Sequence, residues 1–417
     1  MNVFIAVFQW LLDYAFYYPV VMSCFWILGG LLYHWRWERH DRESQPAERA
    51  DWPFITLMVP CHNEGALVKE TIAALARQDY PSFEIIAIND GSRDDTGAQL
   101  DALIQEHPRL RVIHLATNQG KAMALRMGAL ASRGEFLLCV DGDALLDPQA
   151  SRWMIRHFLD HPRVGAVTGN PRIRNRSTAL GKLQVGEFSS IIGLIKRSQR
   201  IYGRIFTVSG VIAAFRKRAL QDVGYWSLDM ITEDIDISWR LQMRHWDIRY
   251  EPHALCWILM PETLRGLWKQ RLRWAQGGAE AMLRYSGDLS TWRRRRMWGI
   301  LTEYALSLVW AYVMAFVALI WAVHWVVPLP MVFNVSLLVP GWGGIVLGVL
   351  CLLQFAISLR FDSRYEPASG KHYYWMIWYP LAYWLLNTLT SIVAFPKALF
   401  KRRGQRARWV SPDRGVS

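Results

Sequence analysis

The chain has 417 residues, 52% of them hydrophobic and 22 of them Trp, yet its mean hydropathy is only +0.07. That balance excludes both an all-membrane chain and an ordinary soluble protein, because long apolar runs must alternate with a soluble portion. The formal charge of +13 (48 basic against 35 acidic residues) points by itself to an anionic partner, nucleic acid or lipid.

The basic residues decide between those two. They cluster beside the apolar runs, at Arg36–Arg49, Arg265–Arg296 and Lys397–Arg408, which places them at the cytoplasmic membrane face and makes nucleic acid the weaker reading. The five cysteines (Cys24, Cys61, Cys139, Cys256, Cys351) show no paired or metal-ligand spacing. Cys24 and Cys351 lie inside apolar runs and fit small buried hydrophobes, and a reduced compartment fits the soluble part.

Tyr14 to Tyr33 is 20 residues without a charge, enough to span a bilayer. Arg36, Arg39 and Arg42 follow at once, so the downstream side is expected to be cytoplasmic. No small-residue cleavage site follows, and the segment reads as an anchor. Met1 to Leu12 is apolar but short; it either lies in the interface or extends the span. Ser44 to Asp51 is a polar linker.

From Trp52 strands and helices alternate. Short apolar runs at Phe54–Val59, Phe83–Ile88, Leu110–Leu115, Phe136–Val140 and Val164–Thr168 read as strands. Ala66–Gln78, Thr96–Glu106 and Lys121–Ala131 read as helices between them. This order predicts an α/β fold, a parallel sheet covered by helices, with ligands at the carboxyl ends of the strands. The distinctive polar residues fall at those ends. Pro60-Cys61-His62-Asn63-Glu64 follows the first strand, Asn89-Asp90-Gly91-Ser92 the second, and Asp141-Gly142-Asp143 a later one. Two carboxylates around a glycine suit Mg²⁺ or Mn²⁺ held with a diphosphate, although an acidic turn is the bland alternative. Gly120-Lys121 opens a helix, where backbone N–H groups and an ammonium can meet a phosphate. Asp90, Lys121 and the two aspartates together suggest a nucleotide-diphosphate site.

Met230 to Ile237 places Glu233, Asp234 and Asp236 within four positions beside Ile231, Ile235 and Ile237. Crowded, partly desolvated acids have raised pKa values, which suits a general base. Thr232 as an N-cap followed by dipole-favoured acids is the structural alternative.

Beyond Pro261, Leu264, Leu267, Trp268, Leu272 and Ala275 share one helical face, while Arg265, Lys269, Arg273 and Gln276 share another. An interfacial membrane helix is expected. Within it, Gln270, Arg273 and Trp274 supply an amide, a guanidinium for a leaving diphosphate and an indole for a sugar face, with Trp274 expected near the helix end. Arg293–Arg296 precede three further spans, Ala305–Val327, Gly341–Leu359 and Tyr373–Phe395. Four full spans from an outside N-terminus would leave the tail outside. Lys397, Lys401, Arg402, Arg403, Arg406 and Arg408, with no acid among them, favour the cytoplasm. Either Tyr373–Phe395 is re-entrant, broken at Pro380, or the N-terminal segment adds a crossing. The resulting division is an anchor at 1–43, a cytoplasmic domain at 52–260, interfacial helices at 261–299, membrane helices at 300–396 and a basic tail at 397–417.

Asn89-Asp90-Gly91-Ser92, Asp141-Gly142-Asp143, Thr232-Glu233-Asp234 and Gln270-x-x-Arg273-Trp274, in that order between membrane segments, resemble the processive family 2 glycosyltransferases. Val167–Arg172, Gly186–Gly193, Ile258–Thr263 and Arg406–Gly415 narrow the resemblance to the bacterial synthases of poly-β-1,6-N-acetylglucosamine, a biofilm matrix polymer. The resemblance implies a GT-A-like domain in which Pro60, Glu64, Asp90 and Lys121 hold UDP. It implies that Asp141 and Asp143 hold the metal-bound diphosphate, with Asp234 as base beside Glu233. Gln270, Arg273 and Trp274 would bind acceptor and diphosphate. The implied donor is UDP-N-acetylglucosamine, with inversion to a β-linked exopolysaccharide that passes across the bacterial inner membrane. Similar synthases work with a small two-span membrane subunit and respond to cyclic di-GMP; composition shows neither. The rivals are a β-1,4 synthase of the hyaluronan or chitin type, transfer of one sugar to a lipid phosphate, and a receptor with a degenerate nucleotide fold. The intact Asp90, Asp141, Asp143 and Asp234 argue against the last.

Overall fold

A computed structural model of the chain describes all residues except 1, 40–44, 47, 325, 328–341, 403, 405 and 408–417. Parts of the polar linker and of the basic tail, with Arg42 and Arg408, therefore lie outside the described residues.

Asn2–Tyr33 (α1) is one unbroken helix, about 48 Å long at 1.5 Å per residue. The short apolar stretch before Tyr14 thus extends the predicted span and adds no crossing of its own. Gly29 and Gly30 let it pack closely: a Cβ at Gly29 would lie 2.2 Å from Ser198 Oγ, and one at Gly30 2.2 Å from Leu194 Cδ1.

The sheet follows from runs buried on both faces. Its strands are Ile55–Cys61 (β1), Phe83–Asp90 (β2), Leu110–Leu115 (β3), Phe136–Val140 (β4), Leu145–Leu146 (β5), Val164–Ile173 (β6), Ile212–Arg216 (β7) and Asp247–Ile258 (β8). Their order is β3-β2-β1-β4-β7-β6-β8-β5. Alternate side chains separate into two cores, Ile55, Leu57 and Val59 on one face and Met58, Ile86 and Ile88 on the other. Helices Val68–Ala76 (α2), Thr96–Glu106 (α3), Lys121–Ala131 (α4) and Ala150–Asp160 (α5) cover them. Strands β3, β2, β1 and β4 are parallel, as expected. The rest of the sheet is mixed, because β7 runs antiparallel to both β4 and β6. The chain winds outward from β1 through β2 to β3, then returns to place β4 on the other side of β1. That reversal opens a crevice at the carboxyl ends of β1 and β4.

After β6 come helices Ala179–Glu187 (α6), a π-helical turn Phe188–Leu194, Ile195–Tyr202 (α7), Lys217–Asp222 (α8) and Glu233–Met243 (α9). Leu264–Leu289 (α10) is capped by Thr263, whose hydroxyl accepts from Gly266 N at 3.1 Å. Trp298–His324 (α11) and Trp342–Asp362 (α12) follow. The predicted span Tyr373–Phe395 is split, part lying in the 3-10 segment Pro367–Trp378 and the rest in helix Tyr379–Leu399 (α13), with Pro380 in the first turn. Among the described residues three helical stretches are long and apolar enough to cross a membrane: Ile5–Glu38, Trp292–His324 and Gly343–Asp362. Helix α13 packs along α10, and past its end Lys401 Nζ donates to Glu280 and to Asp229 O.

A buried ion network ties the membrane helices to the sheet. Arg197 reaches Glu38 at 2.9 Å and Asp362 at 3.0 Å, and Arg172 reaches Asp362 at 2.5 Å and Glu366 at 2.8 Å. Glu38 continues α1, Asp362 closes α12, and the two arginines come from α7 and β6.

Candidate active site

The crevice between β1 and β4 is built by close backbone approach. A Cβ on Gly142 would lie 3.0 Å from Glu64 Cγ and 3.2 Å from Pro60 O. The Asp141–Asp143 turn therefore rests directly on the turn that follows β1. Asn63 takes φ +56°, held by its N–H donating to Ser92 Oγ and its Oδ1 accepting from Arg93 N. Glu64 is buried, with its N–H on Thr96 Oγ1 at 2.8 Å.

Asp90 ends β2 with no exposed surface. Its Oδ1 accepts from Gln119 N and its Oδ2 from Gly120 N, both at 2.8 Å. In this structure its carboxylate holds the start of α4, and so sets where Lys121 begins. Gly120, at φ +92°, supplies the turn a side chain would resist.

Lys121 points into acids. Its Nζ lies 2.5 Å from Asp141 Oδ1, 3.4 Å from Glu233 Oε1 and 3.0 Å from Gly210 O. Burial alone would lower its pKa, but Asp141 and Glu233 more than offset this and hold it above the usual lysine value. Burial pushes Asp141 up, Lys121 pulls it back, and the neighbouring Asp143 adds to the rise.

Glu233 and Asp234 open α9. Thr232 precedes them as the N-cap residue, but its side chain makes no capping bond. Gly210 packs closely here: a Cβ would lie 3.0 Å from Asp234 Oδ2. Burial, then the charge of Glu233, raises Asp234 to about 6, against the opposing pull of Lys121 and Arg273. Asp236, expected to crowd the same site, turns away: it accepts from Tyr285 Oη at 2.5 Å and from Arg240 Nε at 2.9 Å.

Helix α10 brings the remaining candidates. It presses on the same turn through Gly277, where a Cβ would lie 1.9 Å from Thr232 Oγ1, and on α11 through Gly278 against Tyr304. Arg273 is exposed, and its charge reaches Asp234. Gln270 Nε2 lies 3.7 Å from Met260 Sδ, a weak contact that leaves its amide oxygen without a partner among the described residues. Trp274 lies in the middle of α10, which runs on to Leu289, instead of at the predicted end. Its ring receives the Arg271 guanidinium at 4.3 Å and stands 6.4 Å from Phe188.

Sequence reasoning passed over several residues. Arg271 is the buried arginine of the helix, paired with Glu187 at 2.6 Å. Lys196 is buried, and its Nζ donates to Thr168 Oγ1 at 3.0 Å and Ser209 Oγ at 2.8 Å, just behind Gly210. Burial lowers its pKa to about 7, with Asp234 resisting the fall. The Ser209-Gly210 pair before β7 was a legible turn signal. The buried lysine was not, since polar residues on a short helix read as a solvent face.

Two carboxylates of one turn, Asp141 and Asp143, suit a divalent cation. Among the described residues no three His, Cys, Asp or Glu side chains converge on one point. An ion here would therefore complete its shell with waters and phosphate oxygens.

The sequence model of the family described as "Glycosyltransferase like family 2" matches residues 53–277. The poly-β-1,6-N-acetyl-D-glucosamine synthase of Staphylococcus epidermidis is 40% identical over 409 residues, 97% of this chain and 98% of that protein. The synthase of the same name from Staphylococcus aureus is 40% identical over 405 residues, with the same coverage. Among solved structures, a mannosyltransferase from Pyrobaculum calidifontis, in complex with GDP-mannose and Mn²⁺, matches with a TM-score of 0.60. It is 20% identical, and the match covers 94% of this chain and 99% of that one.

Proposed function

The chain belongs to glycosyltransferase family 2, whose members transfer sugars from nucleotide donors, and on that premise we propose that it polymerises N-acetylglucosamine into a β-1,6-linked biofilm exopolysaccharide. The observation that carries this is the 40% identity over 97% of the chain to synthases of that polymer. The donor is UDP-N-acetylglucosamine, and the reaction is one inverting displacement: the acceptor 6-hydroxyl oxygen bonds to the anomeric carbon as UDP leaves.

Asp234 takes the acceptor proton. A raised carboxyl at a buried helix start, within reach of the Arg273 charge, supports that role. Pro60, Glu64 and the Asp141 turn form the floor of the UDP site, while Asp90 fixes the opening of α4 and thereby Lys121. Asp141 and Asp143 would hold Mg²⁺ or Mn²⁺, which supplies charge neutralisation for the departing diphosphate. Arg273 adds a second positive charge from α10, and Gln270 and Trp274 line the acceptor path.

Three crossings with the N-terminus outside put the catalytic domain and the tail together in the cytoplasm. The contacts of Lys401 with Asp229 and Glu280 support this, as does the basic tail, and α13 then stays on the cytoplasmic side. Acidic lipids face the basic stretches, and the polymer leaves between the membrane helices of a bacterial inner-membrane enzyme. The family resemblance adds a small two-span subunit and activation by cyclic di-GMP; copurification, and addition of the nucleotide to membranes, test each. The central test is incubation of membranes with UDP-N-acetylglucosamine and Mg²⁺, then digestion by linkage-specific glycosidases. Product resistant to a β-1,6-specific enzyme but cleaved by a β-1,4-specific one would overturn the assignment.

A further inference from the structure

Away from the active site a cavity of about 260 Å³ opens between the far end of α9 and the turn that leads into α11, lined by Arg204, His245 and the four arginines Arg293–Arg296. Gln242, Met243 and Met297 complete the wall, and every charged group lining it is basic. The acids that reach it are Asp247, 3.6 Å from Arg204 Nη1, and Asp288, 3.5 Å from Arg294 Nη1. Among the described residues Arg293, Arg295 and Arg296 have no acidic partner at ion-pair distance.

The most buried charged group of the wall is Arg204, only 5% exposed. One Nη donates to Gly203 O at 2.8 Å, but the buried Nε has no partner. A guanidinium lining a cavity among like charges is stabilised by an anion brought beside it. Arg163 and Arg296 add repulsion around it, which an anion would also relieve.

The location narrows the ligand. Arg293–Arg296 lie in the 3-10 turn Trp292–Met297, immediately before membrane-length α11. Trp292 and Trp298 flank them edge-on at 5.6 Å, and Trp292 is 69% exposed. Exposed tryptophans at the base of an apolar helix mark the head-group level of a bilayer. An anion arriving at that depth is a lipid phosphate, and a guanidinium fork matches its two free oxygens.

We propose that this cavity is a specific binding site for the phosphodiester head group of an acidic phospholipid, seated between Arg204 and Arg296. Its occupant bridges the membrane turn and the C-terminal end of α9, which Gln242 and Met243 contribute to the same cavity.

The test uses the full-length chain in detergent, titrated with short-chain phosphatidylglycerol, short-chain phosphatidylcholine and inorganic phosphate, with the unfolding midpoint as readout. Phosphatidylglycerol should give a saturable rise, with at least about tenfold weaker response to phosphatidylcholine. Arg296→Gln and, separately, Arg204→Met should each weaken the phosphatidylglycerol response by about tenfold or more. Arg77→Gln, exposed at the end of α2 and outside the basic stretches, should leave it unchanged. Arg296 is exposed, so its variant remains informative even where Arg204→Met fails to fold. Equal responses to the two lipids, or an unaltered response in Arg296→Gln, overturn the proposal. So does inorganic phosphate that binds as tightly as phosphatidylglycerol and competes with it, since the site would then take the free ion.

Discussion

The ammonium of Lys121 lies 2.5 Å from Oδ1 of Asp141. The same ammonium reaches Glu233, so one cation joins the acidic turn after β4 to the helix that carries Asp234. The Asp141–Asp143 turn and the start of α9 are thereby held in one electrostatic unit. Substitutions on either side should still separate, because their chemical tasks differ.

Asp143→Asn should abolish polymer synthesis and weaken metal-dependent UDP binding, with the fold retained, as the residue is only partly buried. Turnover and UDP affinity measured with and without a chelator check this. Normal metal-dependent turnover would remove Asp143 from the metal site.

Asp234→Asn keeps shape but removes the proton acceptor, and turnover should fall by ~10²–10⁴-fold while UDP affinity holds. With Asp234 at about 6, the ionised form is lost as pH falls through that value. The wild-type rate should therefore show an acid limb near pH 6 and a plateau above it. A flat profile from pH 5 to 7.5 under chemistry-limited conditions would count against the base assignment.

Trp274→Ala should shorten the polymer and lower turnover while leaving UDP affinity near normal, because its ring packs on Arg271 and Phe188 and is proposed to serve the acceptor. Product sizing and UDP titration on one preparation distinguish this from a nucleotide role. A collapse of UDP affinity in the folded variant would show the acceptor role to be wrong.

Lys196 offers a stability test. Its folded pKa of about 7 lies below the usual 10.5. Between those values the unfolded chain binds a proton that the folded chain does not, so stability rises with pH across that window. Lys196→Met should flatten that part of the profile, read as unfolding midpoint against pH in detergent. An unchanged slope would mean the amine titrates normally.

Arg197→Met should strand Glu38 and Asp362 without their shared partner. Losing one member of a buried ion network costs ~3–5 kcal/mol. Thermal unfolding in detergent should show the drop. Arg197→Lys should recover only part of it, since one ammonium cannot fork between both carboxylates.

The sequence was most readable where periodicity and turn chemistry agreed. Leu110–Leu115, Thr96–Glu106 and Lys121–Ala131 occupy the predicted spans, and Pro60, Asp90 and Asp141 fall at strand ends as expected. Strands β7 and β8 were missed, because Ile212–Arg216 ends in a charge and Asp247–Ile258 mixes His, Arg and Glu among its apolar residues. Only the folded sheet shows that Glu251 is buried against His157 and His253. The same blindness hid Lys196, Arg197 and Arg271, whose partners lie far away in sequence. Asp236 was the opposite case: adjacency suggested a shared site, while the helix turns it toward Tyr285.

Three contacts of the tail bear on how the enzyme is made. Ala407 N donates to Leu228 O, Arg406 donates to the side chain of Gln119, and a Cβ on Gly120 would lie 2.3 Å from Ala407 O. These residues follow the three membrane-length helices of the described residues in translation order, yet they close over the loop at which α4 begins. A ribosome-bound chain with its domain already folded would still lack that cover. Competence would then arrive only after those three helices have been made, which would keep a half-inserted chain from starting polymer on the wrong side of a missing exit.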